Sequence, residues 1–256
     1  MRIYVLTQED AFFIPVMLDH LLTVRRDVIG IGVVPGEMRP NHVRRYLTML
    51  GPRDFVVTAA LLAGHKVLDR AGRVLPLPRS YSVEGAARRH GVALERVPKI
   101  NASEFVESLR ARGVELLVSI ACPQRFKREL LAVPTKGAIN IHGALLPEYG
   151  GLLPSFWVLA NGERETGVTV HWMNEKIDEG DILFQRRVAI TDDDTVHSLV
   201  RRSKIEIGKQ LLVEAIDAIE RGAAPRTPLD HAKASYFSYP TPEALRRFRQ
   251  RRRRFI

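Results

Sequence analysis

Residues 2–34 read RIYVLTQEDAFFIPVMLDHLLTVRRDVIGIGVV, and this stretch decides the fold class. Arg2–Thr7 is nearly all apolar, Ile3 and Val5 alternating with Tyr4 and Leu6. A run apolar in both alternating sets suits a parallel strand covered on its two faces. A helix is expected from Asp10 to Leu22, with Pro15 in its first turn or kinking it. Val28–Val34 is again apolar and β-branched, closed by Pro35-Gly36, and reads as a second strand. Strand, helix and strand in that order form the unit from which parallel sheets are wound.

Downstream the alternation continues. Helical patterns cover Asn41–Leu68 with a break at Gly51-Pro52, Val83–His90, Ala102–Arg112 with Asn101 as its cap, and Arg125–Leu131. Strand patterns cover Leu94–Val97, Leu116–Ala121 and Ala138–Ile141, and Gly72–Arg79 is a loop rich in Pro and Arg. After Gly167, strands Thr169–Met173 and Ile182–Ala189 flank a turn at Asp178-Glu179-Gly180-Asp181. A long helix, Thr195–Arg221, follows with Asp194 as its cap; Asp192, Asp193 and Asp194 favour its dipole. The pattern predicts an α/β fold with a doubly wound, mainly parallel sheet, in which ligands bind outside the carboxyl ends of the strands. Gly30-X-Gly32-X-X-X-Gly36 looks superficially like a dinucleotide loop, but it lies on the second strand and opens no helix.

The 256 residues are 45% hydrophobic and 27% charged, an ordinary globular composition that excludes a disordered or fibrous chain. The single cysteine, Cys122, excludes an intramolecular disulfide and a cysteine-built zinc cage, and fits a reducing, cytoplasmic location. Glu9 and Asp10 precede the apolar run Ala11–Leu18, where an export signal carries basic residues, so none is read there. No uninterrupted apolar run approaches the roughly 20 residues that cross a bilayer, so no membrane span is expected. Of the net charge of +10, seven units come from Arg246, Arg247, Arg249, Arg251, Arg252, Arg253 and Arg254. That is a basic tail on a nearly balanced body, not a nucleic-acid-binding face over the whole domain.

Asn140-Ile141-His142-Gly143-Ala144-Leu145-Leu146-Pro147 carries the chemistry. On a strand, Asn140 and His142 point to the same side, at the end of a buried element just before a loop. Attack of an amine on a carbonyl creates an oxyanion and an ammonium that must lose a proton. A histidine can move the proton and an asparagine amide can donate to the oxyanion. A carboxylate would orient the imidazole, and Asp178 could return to the same sheet edge. The plainer account, a hydrogen-bonded structural pair, stands beside this one. His171 and Trp172 alternate on a strand and are read as structural, and no cluster suggests a catalytic metal.

Asn140-Ile141-His142 followed by Leu145-Leu146-Pro147 resembles the signature of the folate-dependent formyltransferases. Glu165-Thr166-Gly167-Val168-Thr169 resembles that family's E-T-G-V-T strand, and Ile177-Asp178-Glu179-Gly180-Asp181-Ile182 its L-D-X-G-D turn. Three motifs in order over about 45 residues make the likeness specific, and it extends from roughly Tyr81 to Arg221. The resemblance implies a Rossmann-like catalytic domain over residues 1–225 and a C-terminal extension over 226–256. It implies His142 as acid/base and oxyanion partner, Asn140 as oxyanion donor and Asp178 as the group tuning His142. It also implies 10-formyltetrahydrofolate as the formyl donor, held by Cys122, Pro123 and Gln124 together with the turn at Lys176 and Ile177. For Cys122, a small buried apolar residue is an equal reading.

The chain departs from the family pattern at Ala144, where many relatives carry a serine, and at Gly150-Gly151, where many carry arginine before glycine. The segment Arg39–Arg79 also departs, and acceptor identity is expected there. Ala234-Ser235-Tyr236-Phe237 with Thr241-Pro242-Glu243 resembles a motif that trails the catalytic domain of sugar formyltransferases. The arginine tail beyond it reads as a solvated helix or disordered end, with phosphate contact as the functional alternative. The expected reaction is N-formylation of a small, phosphate-bearing amine, a nucleotide-linked aminosugar above others. Methionyl-tRNA as acceptor is disfavoured because only about 35 residues follow Arg221, where such members carry a tRNA-contacting domain. Hydrolysis of the donor and a silent nucleic-acid binder are weaker still. Monomer and homodimer remain open.

Overall fold

The computed structural model describes residues 1–36 and 41–256. The first half runs β1 (Ile3–Gln8), α1 (Ile14–Val24), β2 (Val28–Val34), α2 (Asn41–Ala71), α3 (Val83–His90), β3 (Leu94–Arg96), α4 (Ser103–Ala111), β4 (Leu116–Ile120) and α5 (Arg128–Leu131). The second runs β5 (Ala138–His142), β6 (Gly150–Gly151), α6 (Pro154–Asn161), β7 (Glu165–Trp172), β8 (Ile182–Ala189), α7 (Val196–Val200), α8 (Lys209–Glu220), β9 (Tyr236–Phe237) and α9 (Pro242–Gln250). The segment Arg39–Arg79 is described from residue 41 onward.

The main sheet has the order β3-β2-β1-β4-β5-β7-β8. Its first five strands are parallel, and β7 and β8 run antiparallel at one edge. The chain winds outward from β1 to one side and then from β4 to the other, the doubly wound pattern the alternation predicted. Ile3 and Val5 enter a core shared with α1, α3 and α8, whereas Tyr4 and Leu6 enter one shared with α4 and α5. The two glycines of β2 serve this packing. A Cβ at Gly30 would lie 2.8 Å from the Tyr4 ring, and one at Gly32 would lie 2.7 Å from Leu6 Cδ2.

Helix ends differ from the sequence reading for local reasons. Asp10 Oδ1 accepts the N–H groups of Phe12, Phe13 and Ile14, so α1 begins after this turn with Pro15 in its first turn. Asn101 does not cap α4; its side chain bonds Arg125 O and Lys127 N across the loop. The cap of α7 is Thr195, in a reciprocal pair with Ser198, and Asp194 supports Ser198 from behind. The long helix is not regular: a π-helical turn, Arg201–Gly208, joins α7 to α8. Gly51, at φ 77° and ψ 167°, breaks α2 where the Gly-Pro pair predicted a break.

The arginine tail is neither solvated throughout nor disordered. Leu245 and Phe248 of α9 face inward, and Phe248 stacks among Phe156 and Phe255 at centroid distances of 4.9 and 5.0 Å. Arg251 donates to Ala160 O and Asn161 O, closing the carboxyl end of α6, where a cation suits the exposed carbonyls. Arg253 donates to Thr191 O and Asp192 O, and Asp54 accepts the Phe255 N–H. Periodicity missed this because consecutive arginines hide the single apolar residues that dock. Phe248→Ala is expected to destabilise the whole chain by about 3–5 kcal/mol, read as a fall in Tm of several degrees. An unchanged Tm would mean that α9 is an independent appendage.

The outward face of α2 is unusual. Leu47–Ala71 is long and apolar enough, by length and composition, to cross a bilayer, and only 11% of its most apolar window is buried. The sequence still holds no uninterrupted apolar run of that length, since Arg53, Asp54, Lys66, Asp69 and Arg70 fall within it.

Candidate active site

The carboxyl end of β5 presents Asn140 and His142 on one face of the sheet, as the two-residue period requires. Antiparallel pairing sets Asn140 opposite His171 and His142 opposite Thr169 on β7. The turn after β7 then folds back and delivers Asp178. Gly180 permits that return, since a Cβ there would lie 1.7 Å from Trp172 O. Asp178 itself adopts a left-handed φ of 55°.

Four side chains meet. Asp178 Oδ2 lies 3.4 Å from His142 Nδ1 and accepts the Gly151 N–H at 2.8 Å. Asp178 Oδ1 lies 3.4 Å from both His171 Nε2 and Asn140 Nδ2. Asn140 Nδ2 also reaches His171 Nε2 at 3.1 Å, while His171 Nδ1 faces Trp172 O at 2.8 Å. Trp172 O can only accept, so His171 Nδ1 carries a proton and donates to it. His142 Nε2 lies 2.8 Å from Tyr149 O.

Both partners of His142 are acceptors, so only its cation satisfies both. Burial opposes that cation and holds the imidazole below its ordinary value, against the upward pull of Asp178 and the Tyr149 carbonyl. Burial also resists ionisation of Asp178, but His142, His171 and the Gly151 N–H more than offset it, and its carboxyl sits well below the usual carboxylate range. The pair is therefore a firm carboxylate beside a histidine poised toward its neutral form.

The sequence-read trio is brought together. In this amide orientation Asn140 turns its nitrogen toward His171 and Asp178. The five residues assigned to the donor lie on two neighbouring loops. Cys122, Pro123 and Gln124 follow β4, the strand beside β5, and Lys176 and Ile177 precede Asp178. Arg125 donates to Glu175 O and ties these loops together. Gln124 is anchored at both ends of its amide, to Ile100 N and Pro98 O, and Lys176 pairs with Glu179. Cys122 is half-buried, and burial pushes its thiol up to about 11, so it is no ready nucleophile. Ile177 is 47% exposed. Among the described residues, no group of three His, Cys, Asp or Glu is arranged to hold a metal ion.

Other contributors escaped the sequence reading. Thr169 Oγ1 donates to Ala144 O at 2.6 Å and accepts Leu146 N and Gln185 Nε2, bolting the loop after β5 to the sheet. Lys204, on the π-helical turn, packs against Gly143, where a Cβ would lie 3.2 Å from Lys204 Cε. Burial pushes its ammonium down, against the pull of Asp10 and Asp178. Cross-strand register would have revealed His171 and Thr169; nothing in a regular helical pattern marks Lys204. Thr169→Val is expected to lower stability by about 2 kcal/mol, because it orphans buried backbone groups. It should also slow turnover, measured beside its melting curve; wild-type values for both would remove Thr169 from the site's support.

A family model described as formyl transferase matches residues 55–216. Methionyl-tRNA formyltransferase of Methylacidiphilum infernorum is 35% identical over 182 residues, covering 71% of this chain and 55% of that protein. The Anaeromyxobacter dehalogenans enzyme of the same name is 39% identical over 199 residues, covering 74% and 63%. The chain thus spans under two thirds of the length of these curated relatives. Among solved structures, the N-formyltransferase from Helicobacter canadensis, complexed with folinic acid and dTDP-3-aminofucose, matches with a TM-score of 0.61. It is 18% identical, and the match covers 100% of this chain and 81% of that one. Glycinamide ribonucleotide transformylase 1 from Symbiobacterium toebii matches with a TM-score of 0.60 at 20% identity, over 90% and 95%. These two likenesses are of fold.

Proposed function

The chain belongs to the formyl transferase family, and from that premise we propose that it transfers the formyl group of 10-formyltetrahydrofolate to the primary amine of a small acceptor. The observation that carries the reading is the meeting of Asn140, His142 and Asp178 at the carboxyl end of β5, next to the 122–124 loop and the 176–178 turn. In this reading the folate head lies against these two loops, where Ile177 is exposed and Cys122 is half-buried. When bound, the folate supplies the formyl carbon as electrophile.

The protein's own groups do the rest. Asn140 donates an amide N–H to the oxyanion that develops on the formyl oxygen as the acceptor nitrogen attacks. An incoming acceptor replaces Tyr149 O as the partner of His142 Nε2. His142 takes the proton that the nitrogen loses on forming its new C–N bond. It returns that proton to the folate nitrogen as the old C–N bond breaks. Asp178 holds the imidazole in register and stabilises its transient charge. In this reading residues 1–225 carry the chemistry, 226–256 complete the acceptor side, and the reaction is cytoplasmic.

For the acceptor, a nucleotide-linked aminosugar is supported by the C-terminal segment. Ser235 Oγ accepts the Tyr149 N–H, and Tyr236–Phe237 pairs with Gly150–Gly151 beside Asp178. Tyr236 is 58% exposed there, an aromatic face on which a ring can stack. Gly151, at φ 96°, admits this approach, since a Cβ would lie 2.2 Å from Phe237 O. A second reading, methionyl-tRNA as acceptor, is favoured by the sequence relatives. Incubation with the folate donor and each acceptor, followed by mass analysis of the product, decides between them. Formamide on an aminosugar supports the first reading, and formyl-methionyl-tRNA establishes the second. Donor hydrolysis without an amide product would contradict both.

A further inference from the structure

The stretch of α2 after Gly51 is attached to the body along one edge. Asp54 accepts the Phe255 N–H, His65 Nδ1 lies 2.6 Å from Ala11 O, and Asp69 accepts the Ser82 hydroxyl. These positions, with Thr58, recur at helical spacing and define the inner face. The opposite stripe is Val56, Ala60, Ala63 and Val67, and it is apolar throughout. Val56 is 65% exposed, Val67 63%, and beyond the helix Val74 is 83% exposed. A surface helix normally turns its polar residues outward; this one turns them out only at its ends.

The charges around the stripe are of one sign. Arg53, Lys66 and Arg70 are exposed beside it, whereas Asp54 is buried and Asp69 is engaged with Ser82. At the carboxyl end of α2 a hollow opens, lined in part by Arg73, Arg79, Arg88 and Arg89. Arg73 and Arg88 share Glu84 as their acidic neighbour. Apolar outward stripe and cationic flanks together match an anionic lipid surface: aliphatic side chains enter the acyl boundary while Lys and Arg reach the headgroups.

We propose that α2 docks this protein on an anionic membrane surface, lying in the interface and not spanning it. Spanning fails on geometry. The uncharged run between Asp54 and Lys66 is eleven residues, Phe55 to His65. At about 1.5 Å per residue that is roughly 16 Å, against about 30 Å of hydrocarbon. Gly51 also breaks the helix on one side, and His65 ties it to the body on the other.

The test is co-sedimentation of the full chain with phosphatidylcholine vesicles, with and without phosphatidylglycerol, at low and high salt. The expected result is binding at least about tenfold stronger to the anionic vesicles, weakened by salt. The double variant Val56→Glu/Val67→Glu, whose side chains touch no core, should lose at least about tenfold in binding with an unchanged melting curve. Light scattering without lipid should report the same mass for both proteins. Absence of binding to anionic vesicles would overturn the proposal. So would binding that survives Val56→Glu/Val67→Glu but is lost in Arg246→Ala/Arg252→Ala, which would place the contact on the arginine-rich end. A wild-type dimer abolished by the double variant, without vesicle binding, would make a second copy the occupant.

Discussion

Replacing His142 by alanine is expected to lower kcat by about 10³-fold or more, because the proton released by the acceptor nitrogen then has no internal carrier. The imidazole is 6% exposed and faces Asp178 through one nitrogen and Tyr149 O through the other. Folate binding should persist, since the residues proposed to hold the donor lie on the loops after β4 and β7. His142→Asn, which fills more of the site, separates lost chemistry from lost packing: both variants should be equally slow if the proton is the issue. The wild-type pH profile carries a related expectation. Burial holds His142 below its ordinary value, so the acid limb of kcat/KM should fall below about pH 6.5. The sign for stability is the same: above that value the neutral imidazole costs nothing, and as pH falls through it the unfolded chain binds the extra proton. A rate unaffected by His142→Ala would remove this residue from the mechanism.

Asp178→Asn is expected to be nearly as severe, about 10²–10⁴-fold in kcat, because the amide keeps the shape but not the charge that stabilises the histidine cation. It also shifts the profile in a direction that packing alone would not produce. Asp178 raises the His142 value, so its removal should move the acid limb of the residual activity to lower pH. Asp178 contributes to stability above the ordinary carboxylate range and loses that contribution as pH falls toward its depressed value. Acid titration of the fold should accordingly be shallower in the variant. An acid limb that stays in place would mean that Asp178 does not act on His142.

The architecture was legible because hydrophobic period is local. β2 and α3 begin and end where their patterns place them, and Pro15 and the Gly51-Pro52 break act as their covalent chemistry requires. Asn140 and His142 could be set on one face from their spacing alone. The approach of Asp178 could not, because it depends on antiparallel register between β5 and β7 and on the tight return at Gly180. That same register hid His171 and Thr169. Lys204 was hidden by the π-helical turn, which shifts every later side chain around the helix axis. The arginine-rich end misled for a different reason: its charge is counted by composition, whereas its fate is set by Leu245, Phe248 and Phe255. The apolar outward stripe of α2 was overlooked because apolar residues on a helix are ordinarily assigned to a core.

The most direct test of formyl transfer is release of tetrahydrofolate from 10-formyltetrahydrofolate, followed with and without nucleotide-linked aminosugars, for wild type and His142→Ala side by side. Release that requires the amine and disappears in the variant is the predicted result. Equal release by both proteins, or no release and no folate binding with any amine including methionyl-tRNA, would contradict it.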